Sequence, residues 1–201
     1  MLSKLARSGR RIDRALLVLL RTRGHGPLAV AVARGLSAFG ERGIGWAGLG
    51  LAAAAADRRR RGRFLAAAAA APAALGLNYV VKAASGRERP VVAGHAPLAS
   101  ATSRLSFPSA HAATSVAAAV SLGRVAPGAR PALYGLAVLV CAGRPYLGMH
   151  YPSDVLAGAA LGLAIGRAWP LPARRGAGVA AATPPLPVPG RPPTAAPEGR
   201  S

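Results

Sequence analysis

Apolar and polar positions alternate along this chain in blocks. Residues 43–56, 64–81, 105–123, 132–149 and 155–173 are long apolar runs with almost no charge, separated by short polar or arginine-rich segments. Each run predicts a helix, and each falls at or slightly below the roughly 20 residues that a spanning helix requires. Alanine and glycine dominate the runs, which suits helices whose backbones approach closely in lipid. Residues 27–42 are mixed and too short to span alone; if they contribute, the number of spans rises from five to six. Residues 1–26 interleave basic and apolar positions. This predicts an amphipathic helix lying on anionic lipid, with a disordered basic tail as the competing reading. Residues 83–104 are polar and turn-rich, and residues 170–201 hold 9 of the 18 prolines. The expected organisation is a basic segment over 1–26, a helical domain over 27–170 and a disordered Pro/Ala-rich tail over 171–201. The fold class is all-α: a multi-pass transmembrane bundle of about five or six spans, in the plasma membrane.

Composition sharpens that picture. The 201 residues are 52% hydrophobic yet carry 26 Lys+Arg against 6 Asp+Glu, a net charge of +20. Such a balance points either to nucleic acid or to an anionic membrane surface. With 4% aromatic residues, and neither a zinc-finger spacing nor an RNA-binding aromatic motif, nucleic acid is disfavoured. The single cysteine, Cys141, excludes an intrachain disulfide. The apolar run "ALLVLL" after the basic N-terminus is too short for a cleavable signal, so none is expected.

The chemistry sits at block ends, in three clusters: "KAASGRERP" with Lys82, Arg89 and Pro90; "FPSAH" with Pro108, Ser109 and His111; and "GRPYLGMHYPSD" with Arg144, His150 and Asp154. Lys82, Arg89 and Arg144 are permanent cations with only Glu88 and Asp154 as nearby acids, so the missing counter-ion is expected to be a ligand anion. Guanidinium forks match phosphate. Ser109 precedes a helical run and predicts an N-cap, whose free N–H groups and dipole favour phosphate oxygens. Ala110 and His111 follow it in the first turn. His150 and Asp154 are four apart; on a helix they would share a face, the carboxylate fixing the imidazole tautomer and freeing the other nitrogen as a nucleophile.

Together these clusters resemble the signature of the type 2 phosphatidic acid phosphatase (PAP2) superfamily: K-x6-R-P, P-S-G-H and S-R-x5-H-x3-D. Here it reads Lys82-x6-Arg89-Pro90, Pro108-Ser109-Ala110-His111 and Gly143-Arg144-x5-His150-x3-Asp154. The resemblance implies a helical bundle and phosphate-ester hydrolysis without metal or other cofactor. It implies that His150 attacks phosphorus to form a phosphohistidine, that Asp154 holds His150 and that His111 protonates the leaving oxygen. Lys82, Arg89, Ser109, Ala110 and Arg144 would bind the phosphate. Ala110 and Gly143 depart from the usual glycine and serine. The expected partners are a lipid phosphate substrate and membrane lipids: a polyprenyl phosphosugar, a polyprenyl diphosphate or a phosphatidyl phosphate. Size and style are similar to small bacterial members assigned to decaprenylphosphoryl-5-phosphoribose. Vanadium haloperoxidases share the fold, but they are larger and soluble. A catalytically inactive basic scaffold binding anionic lipid is the non-enzymatic alternative.

The remaining polar residues have plainer readings. His25 is expected at the surface, His95 in a loop, and Arg87 and Glu88 as a loop ion pair. Asn78 is assigned to helix packing, and Trp46 and Trp169 to membrane-interface anchoring. The five arginines of residues 57–63 lie at the block ends opposite the motifs and read as cytoplasmic, which would face the site outward. The nine Lys+Arg of residues 1–42 pull the other way if there are five spans.

Overall fold

The computed structural model describes residues 2–101 and 103–173, with side chains from Ser8 onward. Among the described residues, eight α-helices follow one another: α1 (Leu2–Thr22), α2 (Pro27–Gly40), α3 (Ile44–Ala56), α4 (Arg61–Ala68), α5 (Ala70–Ser85), α6 (Ala110–Val125), α7 (Arg130–Tyr146) and α8 (Pro152–Ala168). Single 3₁₀ turns lie at Glu41–Gly43 and Pro127–Ala129. The polar stretch after α5 is a loop with two isolated bridges, Glu88 to Leu105 and Val92 to His95. The predicted tail falls, beyond residue 173, outside the described residues.

The basic N-terminal segment is helical, which removes the disordered reading for Leu2–Thr22. Asp13, Leu17 and Arg21 are buried and spaced one turn apart, so this stripe docks on the bundle. Ile12, Leu16 and Leu19 remain exposed on α1. Among the described residues, one helix is long and apolar enough to cross a membrane: α4 and α5 running together over Arg61–Ser85, 25 residues. The α3, α6, α7 and α8 helices have 13, 16, 17 and 17 residues. At 1.5 Å per residue these fall short of a hydrocarbon core about 30 Å thick. The expected count of five or six spans is therefore not supported by helix length.

The α6 helix is central. Every position from His111 to Val125 is buried except Val116 and Arg124, and the helix packs against α4, α5, α7 and α8. Its sequence is mostly Ala, Ser, Thr and Gly, so neighbours come close. The closest is α8, where Gly158, Gly162 and Gly166 form a row one turn apart. A Cβ on them would stand 2.4, 2.3 and 2.8 Å from the carbonyl oxygens of Ser109, Ala113 and Ala117, also one turn apart. This is small-residue packing in its tightest form. Its first rung fixes the start of α8 against the start of α6.

At the other end of the bundle, Trp46, Phe64, Leu122, Val125 and Leu133 form an apolar cluster. Trp46 is fully buried there and donates its indole N–H to Ser115 Oγ at 2.9 Å, which corrects its assignment as an interface anchor. Trp169 is half-buried and donates to the Ala66 carbonyl at 2.7 Å. His25 is likewise no bare surface residue: its ring stacks on Tyr146 at 4.1 Å. Arg60 donates to the Val125 carbonyl at the C-terminal end of α6. The arginine-rich turn thus lies at the opposite end of α6 from His111.

Candidate active site

The end of α5, the start of α6, the end of α7 and the start of α8 meet at one end of the bundle. Lys82, Arg89, Ala110, His111, Arg144 and His150 line a single cavity there, together with Glu41 and Arg42. Six residues predicted from three separated motifs therefore converge. Ser109 and Asp154 are fully buried immediately behind them.

His150 lies in the turn between α7 and α8, not on a helix. The expected shared helical face with Asp154 is therefore corrected: Asp154 sits in the first turn of α8 and His150 precedes it. Asp154 Oδ2 caps α8 by accepting from the Tyr151 amide at 2.9 Å. The His150 Nδ1 to Asp154 Oδ2 distance is 3.7 Å, an electrostatic contact longer than a hydrogen bond. The tautomer follows from the other nitrogen. Arg89 Nη1 donates to His150 Nε2 at 3.2 Å. A guanidinium is only a donor, so Nε2 carries the lone pair and Nδ1 carries the hydrogen that faces Asp154. Burial, with Arg144 and Arg89 nearby, pushes the His150 pKa down to about 4, while Asp154 pulls it the other way. The imidazole is neutral at ordinary pH with its lone pair at the cavity.

Three cations line the same cavity. Lys82 Nζ donates to the Leu105 carbonyl at 3.2 Å. Arg89 is held by the carbonyls of Ser103 and Met149, both at 2.7 Å. Burial lowers its pKa, though it remains a cation. Arg144 donates to Ser37 Oγ, while its Nε is buried without a partner. Ser109 occupies the N-cap of α6, as predicted, but its hydroxyl makes no capping bond and is also an orphan. Unpaired buried donors beside a cationic cavity fit an anion. His111 Nε2 faces the Ser37 carbonyl at 3.0 Å and Glu41 Oε2 at 3.5 Å. Both are acceptors, so Nε2 carries a hydrogen.

The two departures from the motif are mild. Among the described residues, Arg42 is the one non-glycine with positive φ, so Ala110 keeps an ordinary helical backbone and its amide stays available. A Cβ on Gly143 would meet only the Ala33 carbonyl, at 3.9 Å. Glycine there removes a hydroxyl without serving a tight contact.

Several site residues were not anticipated. Arg87 does not pair with Glu88. It bridges Asp154 Oδ1 at 2.8 Å and Asp13 Oδ2 at 2.7 Å, and its guanidinium lies 4.2 Å over the Tyr151 ring. Asp13 also accepts from the Ser153 amide at 2.9 Å and its hydroxyl at 2.5 Å. Burial opposes ionisation of Asp13, but these hydrogen bonds and Arg87 outweigh it and hold the carboxyl below its usual range. The docked stripe of α1 is thereby tied to the residue beneath His150. Ser37 and Glu41, at the end of α2, hold Arg144 and His111. The available signal was scarcity: with six acids in the chain, Asp13 within a basic helix and Glu41 ahead of the first long apolar run were conspicuous. Asn78 donates to the Pro108 carbonyl at 3.2 Å, a packing role as expected, and His95 stays exposed in its loop.

A helical bundle that gathers two histidines, a buried carboxylate and three cations around an anion-sized cavity is of the class that handles phosphoryl groups. Comparison with known proteins agrees. A match to the PAP2 superfamily covers residues 45–175, and the chain belongs to this family. It is 43% identical over 140 residues to the decaprenylphosphoryl-5-phosphoribose phosphatase of Mycobacterium tuberculosis, covering 70% of this chain and 78% of that protein. The Mycolicibacterium smegmatis protein of the same name is 40% identical over 146 residues, 73% and 80% of the two chains. A solved transmembrane PAP2-type phosphatidylglycerolphosphate phosphatase from Bacillus subtilis superposes with a TM-score of 0.64 at 26% identity, covering 80% of this chain and 83% of that one. Aquifex aeolicus LpxE superposes at 0.58 with 20% identity, covering 78% and 93%, a likeness of fold.

Proposed function

We propose that this protein is an integral membrane phosphatase that hydrolyses the phosphomonoester of a polyprenyl phosphosugar through a phosphohistidine. The observation that carries the reading is His150 Nε2, unprotonated and held by Arg89, in the lining of a cavity it shares with Lys82, Arg89 and Arg144. In this reading Nε2 attacks phosphorus while the cations and the orphan donors of Ser109 and Arg144 stabilise the charge of the transferring group. As the P–N bond forms, positive charge grows on the imidazole and Asp154 stabilises it. In this step His111 acts as the imidazolium and gives the Nε2 proton, held beforehand by the Ser37 carbonyl and Glu41, to the departing oxygen as the P–O bond breaks. Water then attacks the phosphohistidine, regenerating His150 and releasing phosphate. Both oxygens of Asp154 are already engaged, by Arg87 and the Tyr151 amide, which supports a reaction that needs no divalent ion. The substrate class rests on the 43% and 40% identical relatives. The position of the 57–63 arginines opposite the site supports an outward-facing active site.

The test is labelling of purified protein with a ³²P-labelled substrate, stopped in alkaline SDS, alongside turnover, for wild type and His150→Ala. The expected result is an acid-labile, base-stable phosphoenzyme in wild type only, with turnover abolished in the variant. His150→Ala activity within tenfold of wild type would refute the mechanism.

A further inference from the structure

The cavity at His150 has room for about 40 Å³. That is roughly three water-sized volumes, enough for a phosphoryl group but not for the alcohol it esterifies. The alcohol must occupy an adjoining space, and two open from the cavity. One, of about 440 Å³, shares Arg89, Ala101 and Ser103 with it. The other, of about 630 Å³, shares Glu41, Arg42 and Ser100.

In-line displacement decides between them, because the entering and leaving atoms lie on opposite sides of phosphorus. His150 stands beside Arg89, at 3.2 Å, on the side of the first groove. His111 stands against Ser37 and Glu41, at 3.0 and 3.5 Å, and both of these line the second. The leaving oxygen departs toward His111 and hence into the second groove.

That groove has a distinct chemistry. Arg34 and Arg42 lie along it, with Ile44 and Leu98 as apolar walls. Arg34 Nε donates to the Leu98 carbonyl at 2.8 Å, which anchors its guanidinium there. Arg42 has a left-handed backbone at φ 50, a conformation that non-glycine residues keep where a side chain must be placed. The groove's one carboxylate, Glu41, lies 4.0 Å from Arg42 and closer to His111. Ile44 is 67% exposed, an apolar residue with nothing over it.

Resting on the phosphatase reading, we propose that this groove binds a second anion on the leaving alcohol. The anion is a phosphodiester one sugar away from the scissile phosphate, held by Arg42 and Arg34, with its prenyl chain along Ile44 and Leu98. The site would then select phosphosugars whose sugar is already joined to lipid through a phosphodiester, over a simple lipid monophosphate.

The experiment compares kcat/KM for ribose 5-phosphate, its 1-O-methylphosphoryl derivative and farnesylphosphoryl-5-phosphoribose. Wild type, Arg42→Gln and Arg34→Gln are assayed in detergent. The methylphosphoryl compound should exceed ribose 5-phosphate by about tenfold or more in wild type, the size of a charged hydrogen bond. That preference ratio should fall about tenfold in each variant, mainly through KM, and Arg42→Lys should restore part of it. A wild-type ratio near one, or a ratio unchanged in both variants, overturns the second-anion site while leaving the phosphatase reading intact. Failure of wild type to hydrolyse any of the three overturns the phosphatase reading itself. If Arg42→Gln does not fold, Arg34→Gln carries the test.

Discussion

Gly158→Ala tests how the fold sets the geometry of the site. The added methyl would stand 2.4 Å from the Ser109 carbonyl, 3.1 Å from Ala112 Cβ and 3.2 Å from the Ser109 carbonyl carbon. Two of these three neighbours are backbone, so no side-chain rotation relieves the clash. Relaxing the first contact to an ordinary 3.4 Å parts the two helix starts by about 1 Å. Those starts carry Ser109 and His111 on α6 and Asp154 on α8, and the Ser109 amide donates to the Asp154 carbonyl at 3.0 Å. Overpacking of this kind costs about 1–3 kcal/mol in stability. The catalytic loss should be larger, because about 1 Å of misplacement between reacting groups lowers rate by about 100-fold. The assay is kcat/KM on a lipid phosphate beside thermal unfolding in the same detergent. Gly76→Ala on α5 is the control: its Cβ meets nothing within 4 Å, and it should be neutral or slightly stabilising. Gly158→Ala with wild-type kcat/KM would refute the claim that the glycine row sets the distance between His111 and His150.

Three further outcomes follow from named contacts. Arg87→Gln removes the charged partner of the fully buried Asp154, and because Arg87 is 30% exposed the expected cost is about 2–4 kcal/mol, somewhat below a fully buried pair; unfolding in detergent within about 0.5 kcal/mol of wild type would contradict it. Gly143→Ser restores the motif hydroxyl where a Cβ meets only the Ala33 carbonyl at 3.9 Å, so it should fold normally and lower KM by about threefold, the worth of one neutral hydrogen bond; lost folding would show that the space is misjudged. His150 has its pKa depressed to about 4, so the acid limb of kcat/KM, where His150 gains its proton, should be centred near 4; an acid limb centred near 6.5 would mean an ordinary, exposed imidazole. The same shift makes stability fully present above the unfolded value near 6.5 and progressively lost as pH falls from there toward 4.

What the sequence made legible was whatever its own spacing encodes. Lys82 and Arg89, Ser109 and His111, and Arg144, His150 and Asp154 each sit in a short local motif at a block end, and helix alternation brings such ends together. Block boundaries drifted where local chemistry overrode hydropathy. The run starting at 105 becomes helical only at Ala110, after Pro108, and the run ending at 149 stops at Tyr146, just past Pro145. Proline removes an amide and disfavours helix in the preceding residue. The α1 to α8 bridge was not legible: Asp13 and Ser153 are 140 positions apart, Asp13 and Arg87 are 74 apart, and no periodicity links them. Trp46 misled because an indole reads alike at an interface and in a core until its hydroxyl partner, Ser115, is seen opposite.

The scarcity of acids, read first as a matter of composition, reappears as geometry. Of the six acids, Asp13 and Asp154 are both taken by Arg87, and Asp57 pairs with Arg60 at 2.6 Å at the far end of the bundle. Among the described residues, no carboxylate lies within 4.0 Å of Lys82, Arg89 or Arg144. These three donate instead to carbonyls, a hydroxyl and the His150 lone pair, which orient a cation without neutralising it. Arg87 is what makes this possible. By occupying Asp154 from the loop side it keeps that carboxylate from collapsing onto the cations of the cavity, yet leaves Oδ2 facing Nδ1 of His150. Apart from Glu41 beside His111, the site therefore carries its negative charge behind His150 and its positive charge in front, a polarity that an incoming phosphate dianion completes.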